Sequence, residues 1–137
     1  MIDAQVSPWD AGGAAYDQLA GRYDLVPIEN RINRLMRSVS LSRLKAAFEP
    51  GARVLEIGCG TGDEALALAS AGVSVVAVDA SQEMVRVARS KAEERGLEDR
   101  VEFHRARARD LPHLADSLGG PFDGGYASFS LAYEPDL

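Results

Sequence analysis

Residues 54–62 are VLEIGCGTG, a short apolar run followed by three glycines at alternate positions. Residues 53–57 predict a buried strand, and the segment from Asp63 to Ala71 predicts a helix that stops at Gly72. Glycines between a strand and a helix let the backbone turn sharply and approach a ligand where a Cβ would clash. We therefore predict a ligand at this turn, beside the amino end of the helix and the carboxyl end of the sheet.

The chain after this turn continues to alternate between strand and helix patterns. The remaining predicted elements are a β-branched strand at 73–78, a helix from an N-cap at Ser81 to Arg95 with Gly96 as its C-cap, a strand at 101–104, a short helix or loop at 110–118 and a strand from 121 to about 129. This alternation predicts an α/β fold, a parallel open sheet of about four strands with flanking helices and right-handed crossovers.

Residues 1–50 show helical periodicity instead and form a predicted helical leader, separate from the α/β part at 51–137. One predicted helix carries an apolar stripe of Tyr16, Leu19, Ala20 and Tyr23. A second starts near Pro27, and its stripe is Ile28, Ile32, Leu35, Met36 and Val39, extended by Leu41, Leu44 and Phe48.

An acidic residue, Asp79, ends the second strand at a spacing typical of proteins that bind an adenosine group, where a carboxylate accepts hydrogen bonds from the ribose hydroxyls. A dinucleotide fingerprint is G-x-G-x-x-G, but Asp63 takes the place of its third glycine, and Asp63 with Glu64 would repel a pyrophosphate. A phosphate-binding G-x-x-x-x-G-K-[S/T] loop is absent from the sequence. The turn therefore suits a zwitterionic amino-acid tail better than a polyphosphate.

These motifs resemble, in order and spacing, those of class I S-adenosylmethionine-dependent methyltransferases. Residues 54–62 resemble the first motif, 75–81 the second, 101–112 the third and 122–131 the fourth. The Tyr-Asp pairs at 16–17 and 23–24 resemble the repeated leader element of small-molecule methyltransferases. The resemblance implies a Rossmann-like fold, S-adenosylmethionine as the cofactor and S-adenosylhomocysteine as the product.

The resemblance also implies roles for individual residues. Glu56 would orient the glycine loop, often near the cofactor's amino group through water. Asp79 would bind the ribose, and Ser128 would face the methyl-transfer site. The other implied cofactor contacts are backbone contacts from Gly58, Cys59 and Gly60, adenine contacts from Ala80 and Met84, and closure over the methionine end by Tyr16 and Tyr23. Small size explains a cysteine at position 59 better than nucleophilic catalysis does.

The sequence departs from the family pattern in two places. Arg107 stands where the third segment usually has an acidic residue for the adenine amino group, and a guanidinium cannot accept that hydrogen bond. Either the backbone of Ala108 recognises the adenine, the carboxylate of Asp110 substitutes, or the affinity for the cofactor is reduced. The family fold also has seven strands, whereas this sequence ends just after the fourth. We therefore expect a truncated domain with an open sheet edge that another copy or another chain completes.

We predict methyl transfer to a small-molecule acceptor. The alternatives are a half-domain that binds the cofactor or self-associates without turnover and, less favoured, an NAD-dependent oxidoreductase. Orientation of the acceptor can suffice for this reaction, and the sequence assigns no catalytic residue, no general base and no metal site. His104 and His113 are expected to be surface or packing residues.

The composition limits which binding partners and which cellular compartment we expect for this protein. A net charge of -6 over 137 residues disfavours a nucleic-acid partner, and the alternating Arg105, Arg107 and Arg109 are expected to form a solvated face. The sequence has one cysteine, no visible secretory signal and no apolar run long enough to span a bilayer. We expect a cytoplasmic protein with no membrane partner.

Overall fold

The computed structural model describes residues 16–22 and 31–127, which contain a parallel sheet with helices packed against it. A helical turn at 16–19 precedes the first long helix. The elements that follow are α1 (Arg31–Ala47), β1 (Arg53–Ile57), α2 (Asp63–Ser70), β2 (Ser74–Asp79), α3 (Gln82–Arg95), β3 (Val101–Arg105), a 3₁₀ turn (Ala108–Asp110), α4 (Leu111–Leu114) and β4 (Gly124–Ala127).

The four strands lie in the order β3-β2-β1-β4 and all pair in parallel. The chain runs outward from β1 to β3 and then returns to the other side of β1 for β4. Strand order therefore reverses beside β1, and open α/β sheets bind their ligands in the crevice at such a point. The prediction of a Rossmann-like parallel sheet of four strands is confirmed, with β3 and β4 as the edges of the described sheet.

The two faces of the sheet carry separate cores. On one face α2 and α3 cover the buried side chains of Val54, Val75 and Phe103, and Leu44 and Phe48, at and just after the end of α1, pack against the same cluster. On the other face the short α4 and the turn after it bury Val76 and Val78, with Leu111 and Leu118. The β-branched run of β2 is therefore covered on both sides, as its sequence predicts.

Helix α1 carries an exposed apolar stripe. The helix is present, and its stripe of Ile32, Leu35, Met36 and Val39 is 45–68% exposed among the described residues. Only the carboxyl-terminal part of the helix reaches the sheet. The stripe is helical in spacing, but helical periodicity alone does not decide which turns lie over the core. Pro27 and Ile28, predicted to begin this helix, lie outside the described residues.

The predicted helix ends are confirmed where local signals define them. Ser81 caps α3, and its hydroxyl accepts a hydrogen bond from the amide of Met84 at 3.2 Å. Gly96 closes the same helix in the left-handed conformation. None of the described helices is long and apolar enough to cross a membrane.

Candidate functional site

The glycine loop follows β1 at the carboxyl edge of the sheet, where the strand order reverses. The φ angles of Gly58, Gly60 and Gly62 are all positive, at 73°, 55° and 85°. Residues other than glycine rarely adopt such angles. A Cβ on Gly62 would lie 2.7 Å from Cζ of Phe103, so this glycine also lets α2 approach β3. The glycines thus have conformational and packing roles that together place the loop over the sheet edge.

The backbone amides of the loop already donate hydrogen bonds within the protein. The amides of Gly58 and Cys59 both donate to the carbonyl oxygen of Val78, at 2.8 and 3.0 Å. The amide of Gly60 donates to Asp79, and that of Gly62 donates to the Cys59 carbonyl at 3.0 Å. A carbonyl oxygen has two lone pairs. The loop can therefore offer a ligand acceptors at Gly58, Cys59 and Gly60, while these amides are already engaged.

The carboxylate of Asp79 connects the ends of β1 and β2. Its Oδ2 accepts from the Gly60 amide at 2.9 Å and its Oδ1 accepts from the Ser81 amide at 2.8 Å. Burial raises the pKa of Asp79, and these two hydrogen bonds oppose the increase. Each oxygen retains a further lone pair for a ligand hydroxyl. The geometry therefore agrees with a carboxylate that positions the loop and can accept from a ribose.

A second carboxyl group, that of Glu56, lies beneath the loop on the face covered by α2. Its side chain is 1% exposed, and neither of its oxygens has a hydrogen-bond partner among the described residues. Its register partner on β4 is Tyr126, whose hydroxyl is also buried and without such a partner. Burial, followed by the nearby carboxylate of Glu64, raises the pKa of Glu56 to about 8. The Tyr126 hydroxyl opposes that increase, so the two groups are close enough to interact although no well-formed hydrogen bond joins them.

The acidic start of α2 is compensated by two cations from distant elements. Asp63 accepts from Nη1 of Arg37 on α1 at 2.8 Å and from Nζ of Lys91 on α3 at 2.6 Å. Lys91 also contacts Oγ1 of Thr61 at 3.3 Å. The charge of Asp63 is thus offset, so repulsion of a pyrophosphate by Asp63 is a weaker argument than the sequence suggests. The missing third glycine and the engaged loop amides carry that argument instead.

The leader reaches the same edge of the sheet through Asp17, which the sequence analysis quoted only as part of a motif. Its Oδ1 accepts from the Ser81 hydroxyl and from the Glu83 amide, the latter at 3.1 Å. The hydrogen bond from Ser81 is the main reason that the pKa of Asp17 is lowered. Asp17 therefore joins the leader to the first turn of α3. The contact is made at Ser81, two residues beyond Asp79. Tyr16 is the adjacent half-buried residue, and Tyr23 lies outside the described residues.

The other residues predicted to contact the cofactor differ in how deeply they are buried. Cys59 is buried, and burial raises the pKa of its thiol, which agrees with a packing role. Met84 is fully buried in the first turn of α3, and the carbonyl of Ala80 accepts from Arg105 at 3.2 Å. Ala108 begins the 3₁₀ turn after β3. Ser128 lies outside the described residues.

The structure also places the residues of the third segment that depart from the family pattern, and the two histidines. Nε of Arg107 donates to Oδ2 of Asp110 at 2.8 Å, so the proposed substitute carboxylate is in an ion pair. His104 contacts Glu102 at 3.3 Å on edge strand β3, and His113 is exposed on α4. The described residues contain no cluster of side chains that could hold a metal ion.

Comparison with known proteins agrees with this geometry. Residues 54–136 match the family model described as a methyltransferase domain. The chain is 38% identical over 122 residues to a demethylmenaquinone methyltransferase of Clavibacter sepedonicus, covering 86% of this chain and 45% of that protein. It is 34% identical over 100 residues to an Azoarcus 23S rRNA (uracil(1939)-C(5))-methyltransferase, covering 73% of this chain and 23% of that protein.

A solved structure gives the same picture at the level of the fold. The crystal structure of a SAM-dependent methyltransferase from Thiobacillus denitrificans in complex with S-adenosyl-L-homocysteine has 25% sequence identity and a TM-score of 0.56. The match covers 71% of this chain and 38% of that chain. The chain spans less than half the length of the curated relatives described above.

Proposed function

The chain belongs to the methyltransferase domain family, and on that premise we propose that it binds S-adenosylmethionine and serves methyl transfer to a small-molecule acceptor. The described complex of a related methyltransferase with S-adenosyl-L-homocysteine supports this cofactor. The cofactor, when bound, supplies an electrophilic methyl group on a positively charged sulfur. The residues of this chain have to bind and orient it.

The observation that carries the proposal is the hydrogen bonding of the glycine loop. A pyrophosphate needs backbone amides as donors, but the amides of Gly58, Cys59 and Gly60 already donate within the protein. A cationic amino group needs acceptors, and the loop offers carbonyl oxygens above the unsatisfied carboxyl group of Glu56. The donor and acceptor pattern therefore favours the ammonium of an amino-acid tail over the phosphates of a dinucleotide.

The other residues extend this site along an adenosine group. Asp79 has a lone pair on each carboxylate oxygen for the two ribose hydroxyls, since among residues 16–22 and 31–127 each oxygen accepts from one backbone amide. Ala80 and Met84 follow it and would flank the adenine. Tyr16 would close over the methionine end, and Asp17 holds its segment against α3.

A small-molecule acceptor is supported by the charge of the chain and by one of its relatives. A net charge of -6 opposes binding to a phosphate backbone, and the Clavibacter sepedonicus relative is a demethylmenaquinone methyltransferase. The Azoarcus relative, in contrast, is a 23S rRNA methyltransferase, so family membership alone does not fix the acceptor. Methyl transfer to such an acceptor needs no dedicated base, because holding the acceptor close to the methyl group in the right orientation suffices.

Two measurements test the proposal. Asp79→Ala should weaken binding of S-adenosylhomocysteine by about 1–3 kcal/mol through lost charge-assisted hydrogen bonds, whereas Asp99→Ala, at the exposed turn before β3, should leave it unchanged. Equal affinity in the two variants would remove Asp79 from the site.

The acceptor is tested with methyl-labelled S-adenosylmethionine. The chain is incubated separately with the small-molecule fraction of a cell extract and with purified ribosomal RNA. Label in the small-molecule fraction alone is the expected result. Label in the RNA would overturn the acceptor class, and cofactor binding without label in either fraction would indicate the alternative of a binding module without turnover.

A further inference from the structure

Two buried polar groups on neighbouring strands lack partners at the base of the proposed cofactor site. Glu56 on β1 and Tyr126 on β4 are register partners, so their side chains lie side by side on the same face of the sheet. Neither oxygen of Glu56 nor the hydroxyl of Tyr126 has a hydrogen-bond partner among the described residues. Buried polar atoms are nearly always paired. The two groups are close enough for the Tyr126 hydroxyl to lower the pKa of Glu56, but no well-formed hydrogen bond joins them, so the pair keeps capacity for a partner that arrives with a ligand.

The groups that face Glu56 are mostly acidic. They are Glu64 and Asp63 on α2, Asp79 on β2, the Cys59 thiol in the loop and the Tyr126 hydroxyl on β4. The two nearby cations, Arg37 and Lys91, are engaged with Asp63. A buried carboxyl group in such surroundings favours its neutral form.

The protonation states of the pair follow from this setting. Burial, followed by the charge of Glu64, raises the pKa of Glu56 to about 8, so its carboxyl group is mostly protonated at neutral pH. Burial and the neighbouring Glu56 also raise the pKa of Tyr126, so its hydroxyl keeps its proton. A bound ammonium beside Glu56 supplies the opposite charge that favours the carboxylate.

Building on the cofactor site proposed above, we propose that Tyr126 is a positioning residue for Glu56. When the cofactor's ammonium binds at the glycine loop, the O–H bond of Glu56 breaks and its proton passes to solvent. The new carboxylate faces the ammonium with one oxygen and accepts a hydrogen bond from the intact Tyr126 hydroxyl. The charges of ligand and carboxylate then cancel, and both buried groups are satisfied. Cofactor binding is thereby coupled to the release of one proton.

Tyr126 supplies the donor that fixes the carboxylate. A phenylalanine at position 126 retains the ring, which lies 6.1 Å from that of Phe48 between centroids, and removes only the hydroxyl. The ionised Glu56 would then have the ammonium as its single partner. We expect Tyr126→Phe to lower the affinity for S-adenosylhomocysteine about tenfold near neutral pH, the effect of one charge-assisted hydrogen bond. The proton release should fall with it.

Calorimetric titration with S-adenosylhomocysteine in phosphate and in Tris, near pH 7, counts the protons. These buffers differ in ionisation enthalpy, so the difference between the observed heats gives the number released on binding. The wild-type chain should release about one proton per ligand, given the raised pKa of Glu56, and Glu56→Gln should release none. Tyr126→Phe should release clearly less than the wild type. Phe48→Leu, which alters the packing on Tyr126 but keeps its hydroxyl, should release as many protons as the wild type.

The outcomes separate this inference from the proposed function. Ligand binding with no buffer-dependent heat in the wild-type chain overturns the proton coupling and leaves the cofactor site standing. An unchanged proton count in Tyr126→Phe overturns the positioning role. Lack of any binding by a folded chain overturns the cofactor site, and this inference falls with it. Circular dichroism of each variant confirms that it is folded before titration.

Discussion

Replacing Glu56 by glutamine removes a buried ionisable group while preserving its size and shape. The side chain is 1% exposed, and burial raises its pKa from 4.5 to about 8. The folded protein therefore holds a proton that the unfolded chain releases above its ordinary pKa. Stability from this group is fully present below pH 4.5, falls as the pH rises, and is lost by pH 8.

The size of the effect follows from the two pKa values. Stability changes by about 1.4 kcal/mol per pH unit between them, so the wild-type chain should lose about 3 kcal/mol from pH 5 to pH 7 through Glu56. The glutamine variant carries no proton to lose and should lack this component. The two proteins should have similar stability near pH 5, and the variant should be about 3 kcal/mol more stable near pH 7.

Urea unfolding followed by far-ultraviolet circular dichroism, repeated across this pH range, measures the difference. Comparing variant with wild type cancels the contributions of other carboxyl groups that do not contact Glu56. Glu98→Gln, a change of the same kind at an exposed site, should follow the wild-type curve. Parallel curves for the wild type and Glu56→Gln would show that the pKa of Glu56 is not raised by folding, because Glu56 would then be ionised in the folded protein at neutral pH.

Three other changes test separate parts of the structure by urea unfolding. Gly62→Ala should lower the free energy of unfolding by about 2–4 kcal/mol, because the backbone there is left-handed and the new methyl group would clash with the aromatic ring on β3. A loss under about 0.5 kcal/mol, the size of an ordinary surface change, would contradict that contact. Asp17→Ala should cost about 1 kcal/mol by removing a cap from the first turn of α3, and unchanged stability would argue against the leader contact. Lys91→Met should cost about 1–2 kcal/mol by uncoupling α3 from Asp63, while Arg86→Met, which breaks an exposed pair, should stay within about 0.5 kcal/mol.

The central elements of the fold were predictable because their signals are local. The β-branched run of β2, the Ser81 cap and the Gly96 cap each define an element within a few residues. The proximity of the glycine loop and Asp79 was also predictable, since the strand ends of a parallel sheet meet at one edge. The hydrogen bonds from Gly60 and Ser81 to Asp79 add that this carboxylate also holds the loop.

What the sequence did not predict depends on contacts between distant residues. Asp17 meets Ser81 across 64 positions, and Asp63 meets Arg37 and Lys91 across 26 and 28 positions. No local pattern encodes such pairs. The exposed face of α1 has the same origin, because periodicity identifies an apolar stripe but not the surface that lies opposite it.

The pairing of Glu56 with Tyr126 depends both on a local sequence motif and on contacts between distant residues. The motif around Glu56 predicts that this residue is part of a cofactor site. Its surroundings also depend on β4, which pairs with the other side of β1 and follows β3 in the chain. Only the assembled sheet shows the carboxyl group and the phenol side by side, with no well-formed hydrogen bond to either within the described part of the chain.

Cofactor binding at the glycine loop is measured by calorimetric titration of the purified chain with S-adenosylhomocysteine and, separately, with NADH. The engaged loop amides and the acceptors above Glu56 predict one S-adenosylhomocysteine bound per chain with a micromolar dissociation constant, and no heat from NADH. Binding of NADH, or no binding of either ligand by a folded chain, would contradict the assignment of the glycine loop to a cationic amino-acid tail.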